Sequence, residues 1–410
     1  MADPNPGQGA THAAAGMLTP IAEAAYAERE LFALGQESLR RYPAFVSELE
    51  QAAGQTTGFR QTGTLQVAYD RDDLEILDEF RALQESFGVA TRQLTARECR
   101  SAEPMLDPSI CGGLLASHDG SVDPRLLATA LLKAATTAGA RHVATGVADL
   151  LTTGGQAANN GRAAGVALAD GTTITARQVV LAAGWQSGEI GGLPPDARPP
   201  VRPVKGQIIR LRTTAATATA GLPPGLLQRT VRGVVRGSSV YLVPRDSGEL
   251  VIGATQEELG SDTTVTAGGL WELLRDARMV VPGITELALA DVVARLRPGT
   301  PDNAPVLGPA QLPGLVLATG HFRAGVLLAP VTADTVAAYL RGGESDPLWS
   351  AFAPARFAPV GPAGAGAGAR AAAPGPGAAV PAPAGAAAKA ATGAAAKAPA
   401  GAAAKAGPQP

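Results

Sequence analysis

The sequence predicts an α/β fold of two interleaved domains, and three stretches carry that prediction. Leu315-Val-Leu-Ala-Thr-Gly-His-Phe-Arg-Ala-Gly-Val-Leu-Leu-Ala-Pro330 runs from a short apolar strand through a glycine-containing turn into an Ala/Val helix over about 330–340. That order sets a helix N-terminus and unpaired backbone N–H groups at the carboxyl end of a strand, a place that favours an anionic or electron-rich ligand. Gln178-Val-Val-Leu-Ala-Ala-Gly-Trp185 is a second apolar strand, ending in small residues. Val204–Leu211 and Val240–Ala254 behave differently: they alternate, the second around an Asp246-Ser-Gly248 turn, which suits antiparallel strands with one solvated face.

The other elements follow in chain order. Residues 22–53 carry helix formers with apolar positions at Leu31, Leu34 and Leu39, and Pro43 is expected to break or kink the run. Thr62–Tyr69 alternates as a strand does, and 71–87 reads as a helix closed by Gly88. Leu114–Ser117 is a short strand before an Asp119-Gly120 turn. Asp123 and Pro124 supply an N-cap and a proline at the first helical position, starting a helix that closes near Gly139. Strands at 141–147, 163–169 and 173–183 are expected around turns at Gly154-Gly155 and Asp170-Gly171. A helix at roughly 266–281 precedes the segments that carry Arg297 and Arg323. From Gly361 the chain is Ala, Gly and Pro, with Gly-Ala-Ala-Ala-Lys recurring at 385, 393 and 401, so 361–410 is expected to be a disordered tail.

Composition narrows the function. A chain of 410 residues has room for two domains, and its net charge of −2 offers no electrostatic case for nucleic acid or an anionic membrane. No run approaches the ~20 apolar residues of a membrane span. No basic region followed by an apolar core opens the chain, so the cytoplasm is the expected location. Cys99 and Cys111 make neither a metal spacing nor a disulfide framework, and no metal is expected.

Ser239-Val-Tyr-Leu-Val-Pro-Arg245 with Gly248–Thr255, then Arg295-Leu-Arg-Pro-Gly-Thr-Pro-Asp302 with Ala304-Pro-Val-Leu-Gly308, then Gly320-His-Phe-Arg-Ala-Gly325 form an ordered series. In order and content they resemble the amine-oxidising flavoprotein family of D-amino-acid oxidase and sarcosine oxidase, and within it most nearly the glycine oxidases of thiamine biosynthesis. The resemblance covers about Asp3 to Ala353. It implies an FAD-binding Rossmann-like domain (about 1–50, 124–190 and 291–345) interleaved with an antiparallel-sheet substrate domain (about 51–123 and 191–290), together filling 1–360. One family element is not found. Members open with a strand, a Gly-x-Gly-x-x-Gly turn and a helix, where backbone approaches the FAD pyrophosphate. Here Met1–His12 offers Gly7 and Gly9 with no preceding strand. The chain is therefore expected to be a member lacking its first βα unit, about 30 residues. A start codon assigned too far downstream is the simplest account, and a genuinely shortened protein is the other.

For the site, the resemblance implies non-covalent FAD. Asp3 would hold its ribose, and Ala10, Thr11, Ala15, Gly16 and Met17 would line the first loop. Val147 would meet the adenine side. His321, Phe322, Arg323, Ala324, Gly325, Val326 and Leu327 would pass the isoalloxazine, where N–H groups and a helix dipole favour negative charge. The chemistry moves a hydride from Cα to the flavin and requires no acid–base pair if the amine arrives neutral. A planar guanidinium suits an amino-acid carboxylate. By resemblance Arg297 is that clamp, Tyr241 adds a hydrogen bond, Arg323 lies over the flavin and contacts substrate or loop, and Met17 lines the site. Lys205 matches a family lysine and its role stays open. The expected reaction is oxidative deamination of glycine and small amines to glyoxylate or a 2-oxo acid, ammonia and hydrogen peroxide, with the substrate and oxygen as partners and a homo-oligomer left open. The alternatives are a sarcosine or D-amino-acid oxidase and, from another class, an inactive remnant that has lost FAD binding.

Overall fold

The computed structural model describes residues 1–153, 161–215, 226–342 and 347–357. The expected Gly154-Gly155 turn and the 361–410 tail lie outside them. The largest element is an eight-stranded sheet, in the order Ala288–Gly299, Arg202–Arg212, Glu249–Gly253, Ser238–Pro244, Thr230–Val235, Thr64–Ala68, Gly112–Ala116 and Arg92–Thr95. Its pairs are antiparallel except that between Thr230–Val235 and Thr64–Ala68. Because side chains alternate across a strand, the sheet has two distinct faces. One is apolar: Ile209, Leu211, Leu242 and Ile252 share a buried cluster with Leu273, Ala277 and Val280 of the Ala267–Val280 helix, which Thr266 caps through the Gly269 N–H. The other carries Arg232, Tyr241, Gly253, Ile208 and Val293 as one row of register partners.

A two-stranded pair of Met17–Leu18 with Gly120–Ser121 and two three-stranded sheets complete the described fold. Val306–Pro309, Leu315–Thr319 and Val179–Leu181 form one, the last two parallel. The Ala329–Leu340 helix and the Arg29–Ala53 helix pack beside it, joining Leu34, Tyr42, Val46, Val316, Leu328 and Val331 in one core. Val147–Thr153, Arg162–Leu168 and Thr173–Thr175 form the other. At the start of the chain, Ala2 bridges Val143 in parallel, and Asp3 N–H donates to the Val143 carbonyl at 3.1 Å.

Four expectations are corrected. The long helix begins at Arg29 and runs unbroken through Pro43. The ring sits on the exposed side while Leu34, Leu39, Tyr42, Val46, Leu49 and Ala53 bury at helical spacing, so packing carries the helix across the lost N–H. The expected 141–147 strand reduces to the Val143 bridge, and the strand proper starts at Val147. The run 173–183 divides, because Thr173–Thr175 pairs with Arg162–Leu168 and Val179–Leu181 with Leu315–Thr319, and the chain must bend between two sheets. The strands Met17–Leu18, Arg92–Thr95, Gly120–Ser121, Thr230–Val235, Val306–Pro309 and Ala288–Gly299 went unforeseen. The last places 291–299, grouped above with the nucleotide segments, at the edge of the large sheet.

Candidate active site

The turn after Leu315–Thr319 is built for presenting backbone donors. Gly320 has φ +71°, and a Cβ there would lie 2.6 Å from Thr300 Cγ2. Phe322 is also left-handed, at φ +47°, held by its N–H to the Pro298 carbonyl at 3.0 Å. From behind, Tyr42 Oη donates to the Val326 carbonyl at 2.8 Å and Ser38 Oγ to the Leu327 carbonyl at 2.6 Å. With the carbonyls engaged by the long helix, the N–H groups of Arg323, Gly325, Val326 and Leu327 take no protein acceptor among the described residues. They lead into the Ala329–Leu340 helix, whose dipole adds to them. His321 Nε2 lies 3.1 Å from Thr332 Oγ1, and burial lowers the ring to about 4, so it is neutral at pH 7 and orders the turn. Small residues at Ala182, Ala318, Gly325 and Ala333 line an open groove of about 350 Å³ between strand ends and helix.

The second part of the site lies on the polar face of the large sheet. Tyr241 lays its hydroxyl over Gly253, where a Cβ would come within 2.3 Å of Oη. The Arg297 guanidinium lies over Gly206, where a Cβ would come within 2.4 Å of both Nη atoms. Arg297 Nη1 donates to the carbonyls of Thr255 at 3.1 Å and Lys205 at 3.3 Å, and among the described residues the guanidinium forms no ion pair. Burial raises the Tyr241 hydroxyl above its usual value, against the pull of Arg297, so it stays protonated. Met17 and Tyr241 pack against one buried cluster that includes Val293, with Met17 Sδ 3.9 Å from Arg232 Nη1.

The expected residues thus fall into groups. Tyr241, Arg297 and Met17 share one face. Arg323 turns to Glu28, pairing at 2.8 Å, with its guanidinium carbon 5.7 Å from the Phe322 ring centre. Asp3 ends the short segment beside Val143 and accepts the Asn5 N–H at 2.8 Å. Val147 opens its strand opposite Leu168. Ala10 and Thr11 lie in the short Ala10–Ala13 helix, and Ala15 is buried behind it. Gly16, at φ +69°, admits no side chain: a Cβ would sit 2.0 Å from the Val122 carbonyl oxygen. Lys205 is fully buried and pairs with Glu257 and Asp262 at 3.3 and 3.2 Å.

Sequence reasoning missed the arginines that hold this loop. Arg125 Nε donates to the His12 carbonyl at 3.0 Å and Arg295 Nε to that of Gln8 at 3.0 Å. Arg210 reaches the His12 and Ala14 carbonyls, and Arg245 those of Ala15 and Val122. Their charges are balanced locally: Arg210 by Glu249, Arg125 by Asp291 at 2.7 Å, and Arg245, lowered to about 10 by burial, by Asp123 at 3.9 Å. The only signal was alternation, which puts Arg295 and Arg297 on one strand face.

A donor-rich turn at a helix N-terminus thus stands beside a sheet face bearing a guanidinium that forms no ion pair among the described residues. The sequence model of the family described as DAO, FAD dependent oxidoreductase, matches residues 2–339, and the chain belongs to that family. Proteins named glycine oxidase are among those it resembles. It resembles the bifunctional protein ThiO/ThiG of Synechocystis sp., 35% identical over 350 residues covering 85% of this chain and 48% of the relative, so it spans about half that protein's length. A hydrogen cyanide synthase subunit HcnC of Pseudomonas aeruginosa is 32% identical over 303 residues, 73% of this chain and 68% of the relative. Among solved structures, glycine oxidase from Geobacillus kaustophilus superposes with a TM-score of 0.75 at 30% identity, covering 87% of this chain and 91% of that one. The fold is therefore that of a glycine-oxidase-like, FAD-dependent oxidoreductase, and the turn's free N–H groups fit the flavin end of FAD.

Proposed function

We propose that this protein oxidises small amino acids, glycine foremost, at the Cα–N bond. The observation that carries the reading is the juxtaposition of an Arg297 guanidinium, free of any ion pair among the described residues, with the protonated Tyr241 hydroxyl, both over bare glycines on one sheet face. FAD, when bound, supplies the two-electron acceptor for a hydride leaving Cα. Arg297 grips the substrate carboxylate and Tyr241 donates a further hydrogen bond, fixing which C–H faces the acceptor. Met17 and the Tyr241 ring exclude water from that space. The N–H groups of Arg323, Gly325, Val326 and Leu327 favour negative charge developing at the acceptor. Glycine, water and oxygen would give glyoxylate, ammonia and hydrogen peroxide. The setting implied by the glycine oxidase likeness is thiamine biosynthesis in the cytoplasm; no helix among the described residues is long and apolar enough to cross a membrane. Quantifying glyoxylate and peroxide from the full chain supplied with FAD and glycine, sarcosine or D-alanine tests the reading. Equal amounts of both products from glycine are expected, and no peroxide from any of the three would overturn it.

A further inference from the structure

Two guanidiniums flank Tyr241, and they differ in one respect. Among the described residues Arg297 meets only carbonyls and glycine backbone. Arg232 is the cross-strand partner of Tyr241, so their side chains share the site face. Its Nη1 lies 2.8 Å from Glu23 Oε1 and 3.9 Å from the Sδ of Met17, which packs against the same buried cluster as Tyr241. The pair is not sealed in the core: the two side chains keep 18% and 19% of their surface exposed. All these charges bear on the Tyr241 hydroxyl, Arg297 and Arg232 favouring its ionisation and Glu23 opposing it. Glu23 is also fixed in place. Its N–H donates to the Thr19 carbonyl at 3.0 Å, Gln84 Nε2 holds the Ile21 carbonyl at 3.0 Å, and Glu28 further along the same loop is tied to Arg323.

We propose that Glu23 is a specificity-determining residue: by occupying Arg232 it leaves the site one free guanidinium, so amines bearing one carboxylate are accepted and amines bearing two are refused. This rests on the amine-oxidation reading above. A second carboxylate reaching toward Arg232 meets the like charge of Glu23, and discrimination comes from that repulsion as much as from the grip of Arg297.

The test compares iminodiacetate with glycine as substrates of the full chain supplied with FAD. Glu23→Gln raises the ratio of their kcat/KM values by about tenfold, a change of roughly 1.4 kcal/mol in relative transition-state stabilisation. Adding Arg232→Met to that variant abolishes the gain. An unchanged ratio in Glu23→Gln, or a gain that survives the loss of Arg232, overturns the proposal. A second measurement needs neither turnover nor a variant that folds: melting-temperature shifts of the wild-type chain with unreactive acetate and malonate. Malonate should stabilise no more than acetate does, and a clear preference for malonate contradicts the proposal. Failure of the oxidation reading is separable, since it shows as no product from glycine while the acetate and malonate comparison still reports the charge count.

Discussion

Arg297 is seated by two carbonyls and a glycine rather than by a carboxylate, which leaves its remaining N–H groups for a ligand. Arg297→Ala should raise the glycine KM by about 100-fold with a smaller change in kcat, since two charge-assisted hydrogen bonds are lost from ground and transition states alike. An unchanged KM would remove the clamp. Gly206→Ala should move KM in the same direction, because the new Cβ falls 2.4 Å from the Nη atoms and must unseat the guanidinium. Asp119 offers a separate test. It is fully buried, and burial pushes its carboxyl up to about 8. An unfolded aspartate titrates near 4. Folding therefore retains a proton between those values, and the stability this contributes is complete below about pH 4 and lost as pH rises to about 8. Asp119→Asn cannot ionise, so its melting temperature should gain on the wild type across that window; a constant difference would contradict the assignment. At this scale Tyr241 and Arg297 were legible because each lies in a recognisable run. Their glycine seats, and Arg210 and Arg245 beneath the loop, were not, because they depend on register between strands far apart in sequence.

Among elements, those with strong local chemistry were readable. Asp123 caps its helix through the Arg125 and Leu126 N–H groups, and Asp70 forms a capping box with Asp73. The Ala288–Gly299 strand escaped notice because Val293, Arg295 and Arg297 share a face, so site charges mask the apolar period of two. Helix 29–53 shows the opposite error: Pro43 is a strong local signal overruled by the helix's buried side. The 10–17 loop depends on Gly16, whose conformation and contact with Val122 exclude any side chain. Gly16→Ala should destabilise the fold by about 2 kcal/mol or more, read from a denaturant midpoint at unchanged slope. A loss under roughly 0.5 kcal/mol, the range of neutral surface changes, would mean the loop does not need that geometry.

At the scale of the whole molecule, the arginines of the sheet face and the donors of the 320–328 turn belong to separate sheets joined through the 10–17 loop and the long helix. The motifs mark ends of strands, and the tertiary hydrogen bonds that align them leave no periodic trace, so the assembly of these parts was not legible in the sequence. The proposed function requires these parts together to hold FAD and oxidise glycine. The most direct test is the visible absorption spectrum of the full chain after FAD is added and the excess removed, followed by glycine without oxygen. A retained flavin spectrum that glycine bleaches and air restores is the expected result. A chain that keeps no flavin, or a bound flavin unchanged by glycine, would contradict it.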